Sequence, residues 1–217
     1  MARSKALRKV LIAVVVIAGF GVLFVRSIRD TQSAPYAADL ARLRNWTVAI
    51  APATMPTDPM LVLRPPPELV GALFRQIFSR TMESLNVPGV PGMPLVLRGE
   101  FDRALAAHMT PESVADAARQ AGLEQMTLQP RCVGLRRVSA PGVTRQLYFI
   151  LFDAPAFERF RQQIAASQAP GQAAGAGFDP AALSPVLLIA EAAPAPGGWL
   201  PLRSDPDADC LAPLTVG

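Results

Sequence analysis

The stretch MTLQPRCVGLRRVSAPGVTRQLYFILFD, residues 126–153, decides how the chain is read. Two runs rich in β-branched, aromatic and apolar residues flank SAPGVT, whose Pro141-Gly142 is a turn dipeptide, so the segment predicts an antiparallel hairpin. LYFILF, from Leu147 to Phe152, is apolar at every position, as expected of a central strand covered on both faces. Directly after it, Asp153 is expected to cap a helix with Pro155 near its start. Phe157, Phe160 and Ile164 predict the buried face of that helix, and Glu158, Arg159, Arg161 and Gln162 its wet face.

Towards the N-terminus the signals alternate. MLVLRPPPELVGALFRQIFSRTMESLN reads as a short buried strand, a proline run and a helix with Glu68 in its first turn. Leu69, Val70, Leu73, Phe74, Ile77, Phe78, Met82 and Leu85 fall on one broad face at helical spacing, which predicts core. LVLR, Leu95–Arg98, predicts another strand, and GEFDRALAAHM and TPESVADAARQAGL predict two short helices. The second of these has Thr110 as N-cap, Pro111 in the first turn and Gly122 at its end. WTVAIAPA, from Trp46, predicts a strand, and Tyr36–Arg44 a short helical stretch. On the C-terminal side, APGQAAGAGFDPAALSP has the composition of a flexible loop or flap (169–184), PVLLIAEAA that of a strand, and GGWLPLR is a candidate partner for it. Strands mixed with helices around a hairpin give the class α+β, with one N-terminal transmembrane helix and one mixed α/β globular domain.

The first thirty residues differ in kind from the rest. They hold six basic groups (Arg3, Lys5, Arg8, Lys9, Arg26, Arg29) and one acid, Asp30, whereas residues 31–217 hold 15 arginines, no lysine and 16 acids. The net charge of +4 therefore belongs to the leader, and the domain is close to neutral. A nucleic-acid partner would need a basic face on the domain itself, so nucleic acid is not expected. Val10–Val25 is uncharged and as a helix spans about 24 Å, a little less than the ~30 Å of a bilayer core, with Lys9 and Arg26 placed to snorkel. The basic excess on the N-terminal flank orients that end to the cytoplasm. A cleaved signal peptide is the competing reading. Its small-x-small sites would be Thr31-x-Ser33, well beyond the apolar run and after Arg26 and Arg29, or Gly19-x-Gly21, inside the run. Retention is favoured. The expected organisation is a cytoplasmic basic tail (1–9), a transmembrane anchor (10–27), a juxtamembrane helical stretch (28–45) and an extracytoplasmic domain (46–217).

Cys132 and Cys210 are the two cysteines, so one intramolecular disulfide is expected in an oxidising compartment, worth about 4–5 kcal/mol by loop-closure entropy. Asn45-Trp46-Thr47 matches a glycosylation sequon, a short pattern that arises often by chance.

Chemistry-bearing groups are sparse. His108 is the lone histidine and suits a helix C-terminus, so neither a catalytic histidine nor a His/Cys metal cluster is expected. No GxSxG, P-loop or GxGxxG is present, and the glycine-rich run from Gly171 is fed by no strand. Glu100 and Asp102 are spaced so that they diverge on a helix, and Asp205–Asp209 (DPDAD) lacks the glycine and distal glutamate of a calcium loop and reads as a solvated tail. Arg131, Arg136, Arg137 and Arg145 are the candidate contacts for an anion or partner, set against the alternative of a charged edge hairpin. No cofactor and no enzymatic activity are expected. An Ala/Pro/Arg-rich composition almost free of lysine points to a bacterial, GC-rich source. The reading that follows is a single-pass inner-membrane protein with a periplasmic domain that binds another envelope protein. The alternatives are a binding module for a small apolar or lipidic ligand and a hydrolase with paired carboxylates. A closed apolar cavity would favour the ligand, and a packed interior with an exposed apolar patch would favour the protein.

Overall fold

Strands β5 (Gln129–Ala140) and β6 (Val143–Asp153) form the expected antiparallel hairpin, and Leu147–Phe152 is buried throughout. Gly134 lies opposite Phe149, where an added Cβ would come within 2.4 Å of the ring, so the aromatic lies flat over a backbone that only glycine allows. A computed structural model describes residues 2–81, 83–140, 143–167, 177–192 and 203–217; along the first helix, side chains are described for residues 14–27, 30, 31 and 33. Met82, the Pro141-Gly142 turn, most of the glycine-rich run and GGWLPL lie outside the described residues.

The hairpin is the middle of a five-stranded sheet of order β1-β8-β5-β6-β7, with β1 Tyr36–Ala38, β7 Val186–Ala192 and β8 Cys210–Val216. A second, antiparallel sheet joins β2 (Thr47–Ile50), β3 (Pro59–Arg64) and β4 (Met93–Leu97). Five helical elements punctuate the two sheets. Helix α2 (Pro67–Thr81) packs on β1 and β7, whereas α3 (Arg98–Glu100) runs on into a wide π-type turn, Phe101–Leu105. Helix α4 (Pro111–Gln120) packs on β2 and β3, α5 (Pro155–Ala166) follows β6, and α6 (Pro206–Asp209) is a single turn before β8. α4 starts as the sequence predicts, with Thr110 and Ser113 each accepting from the other's backbone N–H, and ends at Gly122 with φ +76°. Asn45 of the sequon has φ 59°, a conformation asparagine tolerates, and Trp46 beside it is buried with its ring edge-on to Phe152.

Several expectations are corrected. Tyr36–Arg44 is not helical: Tyr36–Ala38 is a strand parallel to β8, and only Leu40–Leu43 makes one 3₁₀ turn, so the compact unit begins at Pro35. Asp153 does not cap α5; Ala154 occupies that position without a side-chain bond. The C-terminal residues are not a solvated tail, because β8 is inserted between β1 and β5 and Asp209 is 8 % exposed. The Cys132–Cys210 disulfide is formed, with Cα atoms 5.7 Å apart, and joins the neighbouring strands β5 and β8.

Ala2–Ser33 forms helix α1, a unit separate from Pro35–Gly217, and its large apolar side chains from Val14 to Val25 are uncovered. Among the described residues no helix is long and apolar enough to cross a membrane, so the structure leaves the transmembrane anchor of residues 10–27 without support.

Candidate functional site

The site begins where β3 ends. Arg64 leaves the sheet, Pro65–Pro67 fix the turn with their locked φ, and α2 starts at Pro67. α2 buries Leu69, Val70, Leu73 and Ile77 against the core. The sequence also predicts Phe74 and Phe78 as core, and here the structure disagrees. Phe74 is half-buried, Phe78 is 51 % exposed, and the two rings stack with centroids 6.5 Å apart. The apolar face of α2 is wider than the surface available to cover it.

That surplus forms one wall of an open groove of ≈ 550 Å³. Pro65, Pro67, Val70 and Phe74 line it from one side, Val87 and Pro91 from the other, and Val87 is 59 % exposed. Gly71 also lines it, and Arg64 and Arg75 are its charged residues, with no acid among the lining groups. An apolar concavity rimmed by a few charges has the composition of a recognition site. The proline-rich sequence 87–91 (VPGVP) and the prolines before α2 make its walls stiff.

The residues singled out from sequence are placed as follows. Arg131 faces Asp153 at 3.8 Å. Arg136 donates from Nε to Asp209 Oδ1 at 3.1 Å, from Nη2 to Asp209 Oδ2, and from Nη1 to the Arg203 carbonyl at 2.8 Å. Arg137 donates to Gln146 Oε1 at 3.3 Å, and Arg145 holds buried Glu191 through two bonds, one of them Nη2 to Oε2 at 2.9 Å. Arg136 and Arg137 are successive on a strand and so point to opposite faces. The four are not gathered into one basic patch; three face acids of this same chain and the fourth a glutamine. His108 is exposed in the turn after the π-type segment. Asp102 pairs with Arg98 at 2.8 Å, and Asp205 accepts from the Asp207 N–H at 3.0 Å. Among the described residues no group of three or more His, Cys, Asp or Glu is placed to hold a metal ion.

Arg161, read from sequence as facing water, has 0 % exposure. Its five N–H donors are all used. Two reach Glu100, at 2.6 Å (Nη2 to Oε1) and 3.3 Å (Nη1 to Oε2), and three reach the carbonyls of Leu95 (2.8 Å), Asp179 (2.6 Å) and Pro180 (2.9 Å). Its guanidinium also lies 4.4 Å from the centroid of Phe178. The C-terminal part of the predicted flap is therefore not free: Phe178 and Leu183 are buried, and residues 178–180 are tied to α5 and β4 through one side chain. Glu100 in turn accepts from the Leu97 N–H at 2.9 Å. The pair links α5, β4 and residues 179–180, and neither member lines the groove beside α2.

At the far end of α2, Arg80 lies 4.0 Å over the Tyr36 ring, and Glu83 accepts from the Tyr148 hydroxyl at 3.2 Å. Burial first, and then the Glu83 charge, push the Tyr148 hydroxyl well above the usual tyrosine range. Burial likewise raises Tyr36, against the opposing pull of Arg80. In the turn before β3, Asp58 accepts from the Met55 and Thr54 N–H groups at 2.8 and 3.0 Å, which holds its carboxyl below the ordinary range. At two edge strands side chains satisfy backbone groups: Gln76 of α2 pairs its amide with both backbone groups of Ala37 in β1 (3.0 and 2.8 Å), and Glu124 accepts from the Val48 N–H in β2 at 2.7 Å.

No family model matches the sequence, and no curated protein or solved structure is significantly similar to it. The functional reading rests on the groove.

Proposed function

We propose that the chain is a single-pass protein of the bacterial inner membrane, with residues 1–9 cytoplasmic, 10–27 in the bilayer and a periplasmic domain that binds another envelope protein through the outer face of α2. The observation that carries the binding part is the open groove beside α2, continuous with the stacked Phe74 and Phe78 and with exposed Val87. An apolar surface of this kind is costly to leave in water unless something covers it. Its openness favours a protein over a small apolar ligand, because a pocket for such a ligand encloses most of the ligand's surface.

The membrane part is supported by sequence: sixteen uncharged residues, Val10–Val25, lie within a helix and are bracketed by Lys9 and Arg26, with the basic excess on the N-terminal side. The disulfide fits an oxidising compartment. A periplasm-dependent reporter fused after Gly217 is expected to be active, and a cytoplasm-dependent one inactive; the reverse pair sinks the topology. For the binding face, a photo-crosslinking residue at Phe78 is expected to give one discrete adduct in intact cells, and the same residue at Arg159, on the exposed side of α5, none. Equal labelling from both positions would contradict the assignment. The domain has no lysine, so amine-directed reagents would not report on it.

A further inference from the structure

The chemistry of the groove narrows what it accepts. Both charged lining residues are arginines, and the side chain of neither Arg64 nor Arg75 has a hydrogen bond or ion pair among the described residues, whereas Arg131, Arg136 and Arg145 each face an acid of their own chain. Unpaired guanidinium groups beside an apolar concavity match a carboxylate, which they bind in a fixed, two-pronged geometry.

Gly71 is the second observation. It sits inside α2, where glycine is less favourable than alanine. Neither packing nor backbone requires it: its φ is not positive, and an added Cβ would meet nothing nearer than Arg75 Nη1 at 3.8 Å. What the missing side chain does is leave open space at a residue that lines the groove, beside the Arg75 guanidinium. A helix that gives up stability at that one position has room for an incoming group.

We propose that the α2 groove takes a segment of a partner protein that carries a large apolar side chain beside an aspartate or glutamate, the apolar group seated over Gly71 and the carboxylate held by Arg64 and Arg75. This rests on the protein-binding reading above. A peptide segment suits the open groove because it presents an apolar group inward and polar groups outward; an acyl chain lying there would keep a long apolar flank in water.

The test uses the full chain in phosphatidylcholine nanodiscs as bait for a displayed library of random twelve-residue peptides, followed by titration of the enriched peptides. The expected result is enrichment of Asp or Glu close to Phe, Leu, Ile or Trp. Affinity should fall about tenfold in the double variant R64E/R75E, at least as far in G71L, and not at all in R159E. G71A, which the helix favours, serves where G71L perturbs folding, and is expected to weaken binding while raising the unfolding midpoint. Peptides that are lost in G71L but lack acids, or ignore R64E/R75E, overturn the carboxylate proposal and leave the protein-binding reading standing. No enrichment, or peptides indifferent to every groove variant, overturns both. Oleate is the remaining probe: binding that depends on Arg64 and Arg75, with no acidic peptide enriched, makes the occupant an amphiphile and defeats the proposal.

Discussion

Helices α2 and α5 carry similar apolar stripes, and the fold treats them in opposite ways. In α5 the stripe of Phe157, Phe160 and Ile164 is fully covered, and Arg161, off that stripe, is buried as well. In α2 Leu69, Val70, Leu73 and Ile77 are covered, Phe74 on the same broad face is only half-buried at the edge of the core, and Phe78 is exposed. One helix draws a charge into the core; the other leaves an aromatic outside it. Periodicity tells which side of a helix is apolar, but how much of that side is covered depends on what packs against it. The stripe of α5 and the adjoining Arg161 are covered, in part by residues 178–183, whereas Phe74 of α2 shares an open groove with Val87 and Pro91.

The largest effects are expected on α5. Arg161→Met leaves the Glu100 carboxylate buried without its cation and should cost about 3–5 kcal/mol in denaturant unfolding. Adding Glu100→Gln should recover part of that loss, and strict additivity of the two changes would mean that the pair does not act as a unit. Phe160→Ala should cost a similar 3–5 kcal/mol, against no more than about 1 kcal/mol for Phe78→Ser, whose ring gains little from burial. Equal losses at the two phenylalanines would erase the distinction between the helices. Smaller and opposite in sign, Gly71→Ala should stabilise the domain by roughly 0.5–1 kcal/mol, read as a higher midpoint at unchanged slope.

Much of this molecule was legible from sequence where the determinants are local. The β5–β6 hairpin follows from two apolar runs around a turn dipeptide, α4 from Thr110, Pro111 and Gly122, and the disulfide from a count of two cysteines read beside a basic, apolar leader. The missed parts are held together by distant residues. β1 is three residues long and exists because β8, at the other end of the chain, pairs with it; Thr215 donates to the Tyr36 carbonyl across 179 residues. β8 is masked by Pro213, which argues against a strand between two neighbours. The structure accommodates it where the strand changes partners, residues 210–213 facing β5 and 214–216 facing β1. Asp209 and Arg136 find each other only once β8 is in place. Arg161 has the sequence of a wet residue, and nothing near it announces that Glu100 and three carbonyls will converge on it. The groove is half visible in the sequence: periodicity marks the stripe on α2, but its excess width depends on which distant elements cover it.

A pH-dependent effect is expected at the far end of α2, where Glu83 meets Tyr148. A tyrosine whose hydroxyl ionises at higher pH in the folded state stabilises fully below the pH where a free tyrosine ionises, and that contribution is lost as pH rises from there through the raised value. Stability should therefore decline above about pH 10, the ordinary tyrosine value, and Tyr148→Phe should flatten the decline. An unchanged alkaline limb in that variant would remove Tyr148 as its source.

The central claim is that the outer face of α2 serves recognition and its inner face serves the fold. The most direct measurement joins both in one variant: Phe78→Ser with a photo-crosslinking residue at Val87, read for unfolding free energy and for adduct formation in intact cells. The account predicts that stability stays within about 1 kcal/mol of the parent while the adduct seen with Phe78 present disappears. An adduct that persists unchanged, or a loss of stability as large as that of Phe160→Ala, would contradict it.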